Sequence, residues 1–339
     1  MLALLLLLCS GEGVVLLRGH MGRVWAILPL PGDILLSGGD DKCIGKWEGG
    51  KLLQMVESGH TLTIRCMAVF PGGDRFATGS EDMTIKMWDV ASLKCVGTLK
   101  GHSGWVSGIT FAPGFGLISA SGDNSLKVWD EAGTCIATLL GHTGDASCVA
   151  MLSREQCVSG SYDMTLRVWN LLSMECEKVL EGHTSVVYSV CVVGEGRVAS
   201  GSWEGELFVW DVAGGTRLMS LSGHRRWIHD LLGFTNGILA SASDDGSIKV
   251  WDVSSGKLMK SLETGTPNYA LAVTSSGHLV SGGNDKLLRI FPHEATGGPV
   301  AAVEVGWGWE RRRKVVLFRV ALRKDVRRGY GGVGGSGVC

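Results

Sequence analysis

Charge of either sign is scarce, and neither sign prevails. Lys and Arg number 32 against 33 Asp and Glu, only 19% of the 339 residues, which leaves a net charge of −1. That balance removes the electrostatic case for a nucleic-acid or membrane-surface partner. The ten cysteines include no Cys-x-x-Cys pair, so no metal site or disulfide framework is indicated, and no cofactor is expected. Their number fits a reducing compartment. The leucine-rich stretch at residues 1–10 is too short to span a bilayer. No Lys or Arg precedes it, so it lacks the basic start of a signal peptide. Residues 1–12 therefore read as an apolar N-terminal extension. A cytoplasmic protein is expected, with the nucleus as second choice and secretion as third.

Glycine, at 51 residues, is what the chain has in abundance, and turns are what glycine serves. The stretch Gly101–Asp130, GHSGWVSGITFAPGFGLISASGDNSLKVWD, shows how they are spaced. It opens on Gly101-His102 and closes on Trp129-Asp130, with short apolar runs at Val106–Phe111 and Leu117–Ala120 bounded by Gly, Pro, Asp or Asn. Such runs are too short for helices and read as three strands, with a fourth at Cys135–Leu139. The frame recurs. Gly-His pairs end at His20, His60, His102, His142, His183 and His224, at spacings of 40, 42, 40, 41 and 41. Closing tryptophans follow at Trp47, Trp88, Trp129, Trp169, Trp210 and Trp251, 27 residues after each His and 28 in the second unit. A seventh unit is degenerate: Thr264-Gly265 replaces the Gly-His and Phe291-Pro292 the Trp-Asp.

A period near forty with these signatures resembles the WD40-repeat family, over about residues 14–305. The resemblance implies an all-β fold, a seven-bladed β-propeller of four-stranded antiparallel blades. The propeller is expected over residues 13–305, followed by a basic, Gly-rich, disordered tail over 306–339 that belongs to no blade. A mean hydropathy of +0.20 suits sheets covered on both faces by neighbours. In this family the N-terminal strand usually completes the last blade. Val14–Leu17 is expected beside Leu287–Phe291, with Pro299–Val305 as the rival for that slot. Cys95, Cys135 and Cys176 each lie seven residues before a repeat His and are expected to be small buried hydrophobes.

By the same resemblance, His102, Ser119, Asp123 and Trp129 occupy the places of a buried hydrogen-bonded tetrad, as do His142, Ser159, Asp163 and Trp169. The chemistry is reasonable: a turn Asp accepts from imidazole, and a hydroxyl joins imidazole to indole. A Ser, a His and an Asp in one unit suggest a hydrolase triad, but their return in blade after blade argues for architecture. The fifth blade has Glu204 where the Asp is expected.

Function then falls to what the blades display. The resemblance places the early outward positions of each first strand, and the residue before the turn Asp, at one end of the ring. There the chain has Arg23, Trp25, Arg65, Trp105, Tyr162, Tyr188, Trp203, Trp227, His229 and Tyr269. Of the ten tryptophans before residue 300, six close third strands and the other four all fall on these positions. Exposed aromatics on a rigid rim are the composition of a protein-binding hot spot. The two arginines stand among Asp40, Glu81, Asp145 and Asp244. That mixture disfavours a phosphopeptide and suits an unmodified peptide with a basic residue set among aromatics. The expected function is a non-catalytic interaction scaffold for a peptide or protein partner. The alternative is a substrate-recognition subunit of a ubiquitin-ligase or similar multiprotein complex. An enzyme ranks third, since His229 is the one non-repeat histidine at an early-strand position.

Overall fold

The computed structural model describes residues 13–234 and 236–292. The expectations for residues 1–12, for the rival strand Pro299–Val305 and for the tail lie outside them. The chain divides into two units, Met1–Val305 and Gly306–Cys339, and the described residues all belong to the first.

The repeat folds as its punctuation requires. In the third unit the strands are Val106–Ala112, Gly116–Ser121, Leu126–Trp129 and Cys135–Leu139, paired in that order and antiparallel. Among the described residues there are seven such four-stranded sheets. Each innermost strand packs against the innermost strand of the next sheet, and the seventh packs against the first, so the sheets close into a propeller. The second strands are buried along nearly their whole length, and at every residue in Gly116–Ser121 and Ile238–Ser243. Neighbouring sheets cover both of their faces, so these strands carry no solvent-facing alternation. Polar residues go to the outermost strands, which alternate or are largely exposed.

The turn before each third strand needs a left-handed residue, and Asn124 supplies it in the third blade with φ 66°. The closing tryptophans are wedged between sheets. Trp129, 1% exposed, packs with Phe70, Ile85 and Leu99 of the preceding blade.

Ring closure uses the N-terminal strand. Val15–Arg18 pairs antiparallel with Leu287–Phe291, with Leu17 opposite Leu288 and buried. This removes the open edge that an unfinished seventh sheet would present. A second tie crosses the same seam: Asp33 of blade one accepts from the Ser275 hydroxyl and the Ser276 amide, each at 2.7 Å.

One irregularity repeats in all seven blades. The pairing of first and second strands slips by one residue, leaving Trp25, Arg65, Ser107, Ser147, Tyr188, His229 and Tyr269 as the extra residues of β-bulges. A bulge re-aims its side chain, and here all seven line the central channel.

The cysteines correct an expectation. Cys95 and Cys135 are exposed and Cys176 is half-buried. They sit on outermost strands, where the register with the third strand slips beside the closing Trp. The strand bends there and turns the thiol onto the carbonyl two residues ahead, as from Cys95 to Gly97 at 3.3 Å.

Candidate partner-binding face at the channel mouth

The polar quartets form as hydrogen-bonded chains. In the third blade His102 Nδ1 lies 2.7 Å from Asp123 Oδ2 and Nε2 lies 2.6 Å from Ser119 Oγ, which also accepts from Trp129 Nε1 at 2.8 Å. In the fourth, His142 meets Asp163 at 2.8 Å and Ser159 at 2.7 Å, and Trp169 donates to Ser159 at 2.8 Å. The carboxylate can only accept, so Nδ1 carries the proton. Burial lowers the pKa of His60, His142 and His183 despite the adjacent acids. These rings are neutral, and each Nε2 accepts from the hydroxyl. Burial raises Asp163, but hydrogen bonds from Thr165 and His142 outweigh it and bring the carboxyl down to about 2.

The fifth blade differs from the sequence expectation. His183 Nδ1 is paired with Glu206 Oε2 at 3.0 Å, and Glu204 is exposed. Glu206 sits two residues beyond the turn, at the place held by Ser125 and Thr165 in their blades. Its extra methylene lets the carboxylate reach back to the spot a turn Asp fills elsewhere. The seventh blade substitutes a different network. Asn268 Nδ2 donates to Thr264 Oγ1 at 2.7 Å, Ser281 donates to Asn268 Oδ1 at 3.3 Å, and Asp285 is paired with Arg289.

The rim aromatics converge on one another. Trp25 stacks on Tyr269 with centroids 4.1 Å apart, and Tyr269 meets the edge of His229 at 4.7 Å. His229 contacts Tyr188 at 5.2 Å and Trp227 at 5.7 Å. Trp227 stacks parallel on Trp203 at 4.2 Å, and Tyr162 meets Trp203 edge-on at 5.1 Å. The expectation of freely exposed rings is thereby corrected. His229 and Tyr269 are buried, Trp25, Tyr162, Tyr188 and Trp203 are half-buried, and Trp105 and Trp227 remain exposed at 49% and 39%. The bulges drive large rings toward one narrow channel, where stacking is the arrangement that fits. Trp105 stands outside this chain of contacts.

Two arginines complete the packing on the first two blades. Arg65 lies over the Trp25 ring at 4.1 Å, donates to the Tyr188 hydroxyl and pairs with Glu81 at 3.4 Å. Arg23 Nε donates to Asp40 at 2.6 Å, and Trp25 Nε1 donates to the same carboxylate at 2.7 Å. Burial lowers the pKa of His229 although Asp244 accepts from its Nε2 at 3.1 Å. Its Nδ1 is then a bare acceptor, and among the described residues neither it nor the buried Trp203 Nε1 has a partner.

Beneath the mouth lies a cavity of about 200 Å³ lined by the bulge residues and their successors. It holds a group that the sequence reading passed over. Asp230 is half-buried in its wall, where the siblings Ala26, Cys66, Gly108, Cys148, Ser189 and Ala270 are small and uncharged. It accepts from the Leu271 amide of the next blade at 2.7 Å and from the Leu231 amide at 2.9 Å. Burial nonetheless pushes its carboxyl up to about 7. A charge in a row of small neutral residues was the available signal.

The sequence pattern described as "WD domain, G-beta repeat" matches residues 50–89, 93–130, 133–170, 174–211 and 215–252. The chain belongs to the WD40-repeat family. In this WD40 propeller each matched segment begins on the outermost strand of one blade and ends on the third strand of the next, so the sequence repeat itself links neighbouring sheets. Similar proteins include "Nuclear distribution protein PAC1-2" of Uncinocarpus reesii, 35% identical over 146 residues, 36% of this chain and 32% of that protein. "WD repeat-containing protein 1" of Gallus gallus is 37% identical over 101 residues, 28% of this chain and 17% of that one. The match spans about a third or less of these curated relatives. The solved "Structure of U3-55K" superposes with a TM-score of 0.77 at 26% identity, over 82% of this chain and 98% of that one. "Crystal structure of RRP9 WD40 repeats" gives the same score and identity, over 82% and 97%.

Proposed function

We propose that this WD40 propeller is a non-catalytic scaffold that binds a peptide or protein segment across the channel mouth. The observation that carries the reading is the Trp203–Trp227 stack. Trp227 keeps an exposed indole, and Trp203 has a buried N–H with no acceptor among the described residues. A buried donor without a partner is costly, and a backbone carbonyl of a bound segment relieves it while covering the indole. The hydrogen-bonded quartets serve architecture, because each group in them is engaged by another of its own blade. The unpaired thiols, two of them exposed, suit a reducing compartment, and we place the protein in the cytoplasm or nucleus.

Affinity capture with quantitative mass spectrometry, comparing the native chain with Trp105→Ala/Trp203→Ala/Trp227→Ala, tests the reading. The triple variant is expected to lose the captured partner while keeping the native far-ultraviolet spectrum. Undiminished capture by a folded triple variant overturns it.

A further inference from the structure

Five blades fill the mouth and two leave it open. Trp25, Arg65, Tyr188, His229 and Tyr269 occupy five bulge positions, whereas the third and fourth blades have only Ser107 and Ser147. The residue before the turn Asp opens the third blade further. The other blades carry a side chain there, and the third has Gly122, where a Cβ would lie 3.3 Å from Asp145 Oδ2 and 3.4 Å from the Trp105 amide nitrogen. The gap is thus bordered by exposed Trp105, by Asp145 and by Tyr162, whose amide donates to the Asp145 carbonyl at 2.9 Å.

Asp145 is also the acid of this mouth with no side-chain partner among the described residues. Asp40 has Arg23 and Glu81 has Arg65, while Asp244 accepts from the neutral imidazole of His229. No Lys, Arg or His pairs with Asp145 among the described residues. Burial pushes its carboxyl up from the ordinary value, and nearby Asp123 adds like charge instead of relief. Arg65 cannot serve it, being held by Glu81, Tyr188 and the Trp25 ring. A half-buried carboxylate facing Gly122, in a gap flanked by Trp105 and Tyr162, selects a cation.

We propose that the gap bordered by Trp105, Asp145 and Tyr162 receives a basic side chain, lysine or arginine, of the segment bound at the mouth. The inference rests on the peptide-binding reading above and adds where the charge is read. The cationic head meets the Asp145 carboxylate, and the aliphatic stem runs along the flanking rings.

The test uses the full chain and bead-displayed heptapeptide libraries with the central residue fixed as Lys, Arg, Gln or Glu. Lys or Arg beads are expected to be enriched over Gln beads on the order of ten-fold, the scale of one partly desolvated charge pair. The separate Lys and Arg libraries show which cation is preferred. Asp145→Asn should erase the enrichment but leave Gln-bead binding intact, and Asp145→Lys should favour Glu beads. Among the described residues the Asp145 carboxylate makes no hydrogen bond to another side chain, so these variants are expected to melt with the native chain. Basic enrichment that survives Asp145→Asn overturns the proposal, as does bead binding with no basic preference that Trp227→Ala abolishes. In the second case the peptide-binding reading stands. If no library binds at all, both readings fall.

Discussion

A single methylene decides how the fifth blade keeps its histidine partnered. Glu206 reaches His183 from beyond the turn, and the turn's own Glu204 faces solvent. Removing a partner from a buried imidazole costs more than removing an exposed carboxylate, because the ring's N–H is left in a dry site. Glu206→Ala is therefore expected to destabilise the protein by about 1–3 kcal/mol, and Glu204→Ala by less than about 0.5 kcal/mol. Urea unfolding of the two variants checks this, and equal effects would contradict the assignment. Spacing alone pointed to Glu204, since its position matches Asp123 and Asp163. Side-chain length is what breaks the correspondence, and a residue-by-residue alignment of turns does not register it.

At the scale of the strand and the blade, the bulge is the device that connects fold to face. It frees one residue per inner strand from the ladder and turns it to the channel, so seven equivalent positions meet at one opening. The blades are not equally secured. Six hold a His, a hydroxyl and a Trp in one hydrogen-bonded chain, whereas the seventh relies on Asn268, Thr264 and an Asp285–Arg289 pair. Its Phe291 fills the Trp position without an N–H to bond. Hydrogen exchange is expected to show amides of Asn268–Val273 and Leu279–Gly283 exchanging before their counterparts in blades three and four. Uniform protection around the ring would contradict it. The strands were legible from period and punctuation, and five of the six quartets from the family resemblance. The stacking of the rim was not, because ring-to-ring distances depend on how seven sheets tilt around one axis.

Across the whole molecule the half-buried acids and buried imidazoles set how stability follows pH. Asp163 titrates near 2 in the fold and near 3.8 when unfolded, so its contribution is full above about pH 4 and is lost as pH falls toward 2. His60, His142 and His183 have lowered pKa values, so the unfolded chain binds protons first and stability falls as pH drops below 6.5. Asp230 acts with the opposite sign. Its folded pKa of about 7 lies above the unfolded 3.8, so its contribution is full below pH 3.8 and is lost as pH rises toward 7. Replacing it by the serine of the fifth blade, Asp230→Ser, should make stability climb more steeply with pH between 4 and 7. Thermal melts at a series of pH values measure the slope, and an unchanged slope would remove Asp230 from the account.

The sequence by itself determined the period, the strands and the polar residues that recur in them, since these follow from local residue types, and its family resemblance supplied the number of blades and five of the six quartets. The N-terminal strand had a rival for the seventh sheet, and tertiary pairing chose it. Only the closed ring decided which rim rings are covered, how the two rim arginines are engaged and which acid stands without a side-chain partner. Those outcomes depend on contacts between residues that the chain keeps tens to hundreds of positions apart.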